Sequence, residues 1–520
     1  MGTIYYIFSP LSQDPNKGTT KKNVPHAFPS TLVPLKSQTF NNISFSRKLK
    51  FPVSLPNVGS LCRTRLCRSY AVIQPLAVPP TTTNLRVTIQ RSSMVTPFEE
   101  TKRRSMFLSN IDQSLNFVIS FLHFFSNSPK FTPEMIVDKL EMAWRKILVS
   151  YDYSAGRLRV NPEQGRLEID CNSAGSGFVI ASSELSLDEL GDLVNPNPEF
   201  QDLAVQTVEC CHPQDQPLYI LQVTFFKCGG FTIGFSFNHL IYDGVAGKIF
   251  LENLASLITN DRLVLPPYNN RKLLVARSPP RVMYPHPELL KLDLPLNGGE
   301  TDITPFQLPS SSDSECKTFR LSTQDILSLK KKAKIGGDST YNTSFNVVAA
   351  HIWRCKALAT NTGNDPEKLS TILYAVNIRS KIRPRLPPTY AGNAILNAYW
   401  TATCRELEET PFSRIVRMIS QGSERMTDEY IKSVIDWGEL NKGFPNGDVF
   451  VSSWWKLGVG DVMYPWGKPI WSCPVVRNHS YNIILLLPDI KGASNTERVN
   501  VVVALPHKQM VKFEGLFLKF

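Results

Sequence analysis

The chain is 520 residues long, 42% hydrophobic and 20% charged, with 57 basic and 45 acidic side chains. That apolar content excludes a disordered chain, and 28 Gly and 10 Cys at this length exclude a collagen-like repeat and a small disulfide scaffold. The net charge of +12 sits at one end: residues 1–90 carry 11 Lys or Arg against the single acid Asp14, so residues 91–520 are nearly neutral and are not expected to bind nucleic acid.

Residues 1–90 also contain 19 Ser or Thr and 10 Pro, with no sustained helical or strand period. Such a segment buries too little apolar area to fold alone. Its Arg- and Ser-rich, acid-poor composition predicts a disordered transit peptide over 1–80 directed to the plastid, with the cytoplasm as the alternative destination. No apolar run of the kind a secretory signal needs follows a charged start, and Tyr6 stands where a myristoylation motif has Ser or Thr. No apolar stretch is long enough for a membrane span. The cysteines form no C-x-x-C pair, so they read as free buried thiols and no metal site is expected.

From Asn84 onward, strand and helix patterns alternate. Leu85 to Gln90 reads as a strand. Pro133 to Val149 reads as a helix, with Met135, Ile136, Leu140, Met142, Ala143 and Ile147 at helical spacing. Leu218 to Phe226 and Phe231 to His239 predict a hairpin whose turn holds Gly229 and Gly230, both free to take positive φ. Helices are predicted over Gly244 to Thr259 and over Ser344 to Ala359, the latter capped by its opening hydroxyl. Lys330, Lys331, Lys332 and Lys334 read as a solvated helix face. Between these lies a Pro-rich stretch, 265–311, which reads as an extended crossing because proline removes donors and fixes φ. The parse is therefore two α/β domains, 84–264 and 312–520, joined by that linker.

The chemistry centres on Asn238-His239-Leu240-Ile241-Tyr242-Asp243-Gly244. Phe231, Ile233, Phe235, Phe237 and His239 share one face by the period of two, so an apolar face ends in an imidazole. At the end of a strand, that imidazole could point into a crevice and act as a base. The spacing alone is weak, since chance supplies roughly a third of such a match in a chain of this composition. A core histidine followed by a helix-capping Asp243 explains it equally well.

In context, His239-x-x-x-Asp243-Gly244 resembles the signature of the BAHD family of plant CoA-dependent acyltransferases. Leu108-Ser109-Asn110-Ile111-Asp112, Ala155-Gly156-Arg157-Leu158 and Ala350-His351-Ile352-Trp353-Arg354 resemble further family motifs, in order. So does Val376-Asn377-Ile378-Arg379 through Gly392-Asn393, with Asn377 in place of Asp. The resemblance implies two similar-sized mixed-sheet α/β domains of the CoA-dependent acyltransferase type with a tunnel at their interface. It also implies a monomer that holds no permanent cofactor and takes an acyl-CoA and a small alcohol or amine as substrates. His239 would be the general base. Asp243 would orient its turn by pairing with an arginine, with Arg379 the first candidate and Arg354 the second.

The family's second signature, Asp-Phe-Gly-Trp-Gly, is degenerate. Counting from Trp454, its positions read Met463-Tyr464-Pro465-Trp466-Gly467, and the acid is gone. Either Asp461 substitutes from the same face of an extended strand or the pocket is reshaped, and the second is expected because Pro465 also alters the backbone. By the resemblance, Trp466 and Gly467 would support the CoA channel and Lys331 would reach a CoA phosphate. The crossing, with Pro266-Pro267-Tyr268, Arg271, Leu273-Leu274, Ala276-Arg277, Pro279-Pro280 and Pro285-His286, resembles members that use ω-hydroxyacids and fatty alcohols with hydroxycinnamoyl-CoA. The alternative is a non-catalytic relative that binds acyl chains or a partner enzyme.

Overall fold

A computed structural model of the chain describes residues 85–209, 211–212, 215–292, 314–334, 342–476, 482–490 and 497–519. The predicted transit peptide, Cys62, Cys67, Cys210 and the end of the crossing therefore lie outside the described residues. Two six-stranded mixed sheets organise the rest. The first runs in the order Val87–Val95, Ser176–Ser183, Tyr219–Phe226, Phe231–Asn238, Val118–Phe125, Trp471–Pro474. The second runs Ser314–Leu321, Val499–Pro506, Ile483–Leu487, Val449–Ser453, Leu369–Asn377, Ile395–Thr403.

The predicted hairpin is present, with Tyr219 opposite Phe237 and Phe225 opposite Phe231. Only Gly229 takes a positive φ, 80°. Alternation places Phe231, Ile233, Phe235 and Phe237 in a core with the helices Pro133–Ser150 and Gly244–Asn260. On the helix Pro133–Ser150 the buried stripe is Ile136, Leu140, Ala143, Trp144, Ile147 and Leu148, whereas Met135 and Met142 face outward at 42% exposure each. Their spacing fits the edge of the helical stripe, whose centre is filled by the fully buried Trp144. The helix Ser344–Thr360 is capped by Thr343, which accepts from the Asn346 N–H at 3.1 Å, so the cap precedes Ser344 by one residue.

Sequence order and sheet membership part company at Trp471–Pro474. This strand follows most of the second sheet in the chain, yet it pairs antiparallel with Val118–Phe125 at the edge of the first. The sequence halves are thus stitched through the sheet as well as by the crossing. Cys171, Cys355, Cys404 and Cys473 are buried free thiols as expected, but Cys228 and Cys316 are exposed and Cys211 is half-buried, because their positions fall on a hairpin turn, an edge strand and a loop. Among the described residues no helix is long and apolar enough to cross a membrane.

The central strand of the first sheet tolerates no extra atom on the face opposite its core. A Cβ at Gly234 would lie 2.1 Å from the Leu203 carbonyl oxygen. Gly234→Ala is therefore expected to destabilise the protein by about 1–3 kcal/mol through overpacking, read as a lowered denaturant midpoint with an unchanged slope.

Candidate active site

The strand Phe231–Asn238 ends one residue before His239, which opens a short 3-10 turn, His239–Ile241. The Asn238 side chain caps that turn, accepting from the Leu240 N–H at 3.1 Å. The His239 N–H donates to the Phe117 carbonyl at 2.8 Å, which fixes the turn to the neighbouring strand. His239 therefore leaves the pleat rather than continuing it. Its half-buried side chain lines a cavity of about 1210 Å³, whose walls come from both halves of the sequence.

Burial lowers the His239 pKa below the ordinary 6.5, against the opposing pull of its own carbonyl, the Asp243 charge and the Asn393 side chain. The ring is therefore neutral at pH 7 and able to accept a proton. Nδ1 is buried without a hydrogen-bond partner, as is Asn393 Oδ1. With Nδ1 shut away from solvent, Nε2 is the ring nitrogen left to accept a proton.

Asp243 is the N-cap of the helix Gly244–Asn260 and is fully engaged elsewhere. Its Oδ1 accepts from the Val245 and Ala246 N–H groups at 3.1 and 3.0 Å, and its Oδ2 from the Ala394 N–H at 2.8 Å. Arg379 grips both oxygens, at 2.8 and 3.0 Å, in a buried bidentate pair. The remaining reach of Arg379 goes to the carbonyls of Tyr390 and Gly392 at 3.1 and 2.9 Å. Asn377 accepts from the Arg379 backbone N–H at 3.0 Å, so the Asp-to-Asn change there leaves the turn before Arg379 intact. Arg354 is not a partner of Asp243: it donates to the carbonyls of Glu408 and Thr410, because its helix packs in the second core.

A second buried pair, which the sequence did not disclose, backs the same turn. Arg271, in the crossing, donates to Asp112 Oδ1 at 2.8 Å and reaches the carbonyls of Ile241 and Ala391. Both side chains are buried. The other Asp112 oxygen is held by the N–H and hydroxyl of Ser109, at 2.9 and 2.7 Å, in a capping box. Asn393 ties the second pair to the turn, its Nδ2 lying 2.9 Å from Asp112 Oδ1 and 2.9 Å from the His239 carbonyl, while the next residue, Ala394, donates to Asp243. A Cβ at Gly392 would lie 2.8 Å from Arg271 and Tyr390, so only glycine lets that arginine pass.

Trp466, Gly467 and Lys331, the residues the resemblance associates with CoA, lie outside the lining of the cavity at His239. Trp466 stacks on Tyr464 at 5.7 Å in the first core, held there by the apolar strand face it covers. Gly467 closes a tight turn with Tyr464 at φ 113°. Lys331 is exposed in the last turn of the helix Thr323–Lys334, while Lys330 pairs with Glu497 at 2.9 Å. Met463 is 60% exposed, so the lost carboxylate leaves no buried arginine facing it. Asp461 lies in a 3-10 turn 3.8 Å from Lys468, a half-exposed pair rather than a buried substitute. Trp454, which set the register, does line the cavity.

Because Asp243 and Arg379 act as one unit, Asp243→Asn and Arg379→Ala should each cut turnover and lower the unfolding temperature. Breaking a buried pair costs about 3–5 kcal/mol. The double variant should be little worse than the poorer single one, as read by kcat/KM and thermal unfolding of all three; additive losses would dissolve the pairing.

The sequence pattern of the Transferase family matches residues 85–518. The chain is 50% identical over 440 residues to Acyltransferase GLAUCE of Arabidopsis thaliana, covering 84% of this chain and 96% of that one. It is 30% identical over 439 residues to the fatty alcohol:caffeoyl-CoA acyltransferase of the same plant, covering 83% and 98%. Among solved structures it is similar to vinorine synthase, with a TM-score of 0.63 at 20% identity over 82% of this chain and 96% of that one, a likeness of fold. With the match spanning nearly all the described residues and the signature turn intact, the chain belongs to the Transferase family, that is, the BAHD-type plant acyltransferases.

Proposed function

We propose that this acyltransferase moves an acyl group from a CoA thioester to the hydroxyl of a lipophilic alcohol, with His239 as the sole general base. The observation that carries the reading is a neutral imidazole lining a large cavity, beside a carboxylate whose bonds all go elsewhere. His239 Nε2 takes the proton as the acceptor oxygen bonds to the thioester carbonyl carbon. The tetrahedral intermediate then collapses, the carbon–sulfur bond breaks, and the imidazolium returns its proton to the departing thiolate, giving ester and free CoA. No covalent acyl-enzyme is needed. A non-catalytic role would leave this arrangement without a use.

The lipophilic acceptor is supported by the cavity wall. Leu115, Ile119, Ile395, Trp437, Leu440 and Val476 are among its lining side chains, and of the charged ones Arg166 and Glu439 pair with each other at 2.7 Å. The fatty alcohol in the printed name of one relative points the same way. Turnover of hydroxycinnamoyl-CoA with a long-chain primary alcohol, and little with a polar acceptor such as shikimate, is the expected pattern. The reverse preference would overturn the acceptor class while leaving the chemistry intact.

His239→Ala should lower kcat about 10²–10⁴-fold, the usual contribution of a positioned base. Since the base works when neutral and its pKa lies below 6.5, kcat/KM should be flat at and above pH 7 and fall as pH drops through that lowered value. A rate that keeps rising well above pH 7 would point to another base.

The proposed compartment is the plastid, on the basic, acid-poor composition of residues 1–90. A fluorescent protein carrying residues 1–90 should enter plastids. Diffuse cytosolic signal would remove the compartment and leave the acyl transfer untouched.

A further inference from the structure

The crossing is fixed on its inner side and apolar on its outer one. Arg271 and Leu274 are buried, Arg277 is held by Asp436 at 2.6 Å, and Ser433 accepts from the Met283 N–H at 2.9 Å. This leaves Val264, Tyr268, Val275, Val282, Met283 and Leu290 facing outward, exposed by between 39% at Val282 and 64% at Met283. Single exposed apolar side chains are ordinary. Six on one anchored connecting segment form the kind of surface that marks an interaction site.

Between residues 261 and 291 the unpaired exposed charges are basic. Arg262, Lys272, Arg281 and Lys291 are exposed, and among the described residues no ion pair engages their side chains. The two acids between residues 261 and 291 are already occupied: Asp261 lies 2.5 Å from Lys146, and buried Glu288 accepts from the Tyr430 hydroxyl at 2.6 Å and lies 3.1 Å from His286. Six prolines, at 266, 267, 279, 280, 285 and 287, remove backbone donors that a partner strand would need. The segment also runs into the cavity mouth, where Leu289, Lys291, Leu292 and the 59% exposed Leu440 form part of the lining.

We infer that the outer face of the crossing seats the enzyme on an anionic lipid surface, so that an alcohol dissolved in the bilayer reaches the cavity without crossing water. Apolar side chains enter the interface while the cations meet lipid phosphates, a combination that binds more strongly than either alone. A protein partner is the competing occupant. The lipid surface is favoured by the single sign of charge, the scarcity of backbone donors and the continuity with the cavity. The route for the acceptor rests on the lipophilic reading above, but the seating does not.

The test uses the full chain and sucrose-loaded vesicles of phosphatidylcholine, with or without phosphatidylglycerol. Since residues 1–90 are themselves basic, the readout is the difference between the wild type and variants in the same full chain. Val275→Ser with Val282→Ser and Met283→Ser, and separately Lys272→Gln with Arg281→Gln, should each lower partitioning onto anionic vesicles about tenfold or more. Melting temperature and turnover of a water-soluble short-chain alcohol should stay unchanged. Partitioning equal to wild type in both variants would overturn the inference. So would self-association of the wild type without vesicles that the serine variant abolishes, which would make the face a protein interface. If long-chain alcohols prove not to be substrates, the vesicle difference remains and only the delivery route falls.

Discussion

Two buried carboxylates behind one turn constrain this molecule more than any other feature. Asp243 and Asp112 are each neutralised by an arginine from a distant part of the chain, Arg379 and Arg271. Either carboxylate alone would be costly to bury. Paired, they bring the crossing, the first sheet and the segment after Leu369–Asn377 to one place. The adjacent Asn393 and Ala394 reach Asp112 and Asp243 respectively, and Asn393 also donates to the His239 carbonyl. The proposed chemistry rests on this arrangement: the carboxylate nearest in sequence is engaged by Arg379 and backbone N–H groups, and burial is the main cause of the lowered His239 pKa.

The same constraint shapes the cavity. Arg271 pins the start of the crossing beneath His239, and Arg277 and Ser433 pin its middle to the helix Asp428–Leu440, whose residues line the cavity. The strand Trp471–Pro474 joins the other half of the chain to the first sheet beside Val118–Phe125, the strand whose opening residues also line it. A cavity held at both ends by anchored backbone can be large and apolar without collapsing. Met463 itself is exposed, so the lost carboxylate position faces outward, while Tyr464 and Trp466 of the same signature are buried in the first core.

Much of this was legible in the sequence because it was local. The hairpin, the helices after it and the His-x-x-x-Asp turn are each written in short periodic patterns, and Asp243 as a helix cap follows from its place before Gly244. The Arg379 pairing came through the family resemblance rather than through spacing. What stayed hidden was long-range. Asp112 and Arg271 stand 159 positions apart with no period linking them, although each lies in a segment that drew notice on other grounds. The four-residue strand Trp471–Pro474 is too short to announce its sheet. Trp466, Gly467 and Lys331, which the resemblance associates with CoA, lie outside the lining of the cavity at His239, and the burial of Trp466 against a strand face follows no short pattern in the sequence.

The central claim is that His239 stands neutral at physiological pH with its proton on Nδ1 and its Nε2 free. Nitrogen-15 NMR of the enzyme labelled at histidine, with the His239 signals identified by their loss in His239→Ala, reads both the charge and the tautomer directly. The account predicts a neutral ring at pH 7, protonated at Nδ1, that becomes charged only below pH 6.5. A ring already cationic at pH 7, or one protonated at Nε2, would contradict it.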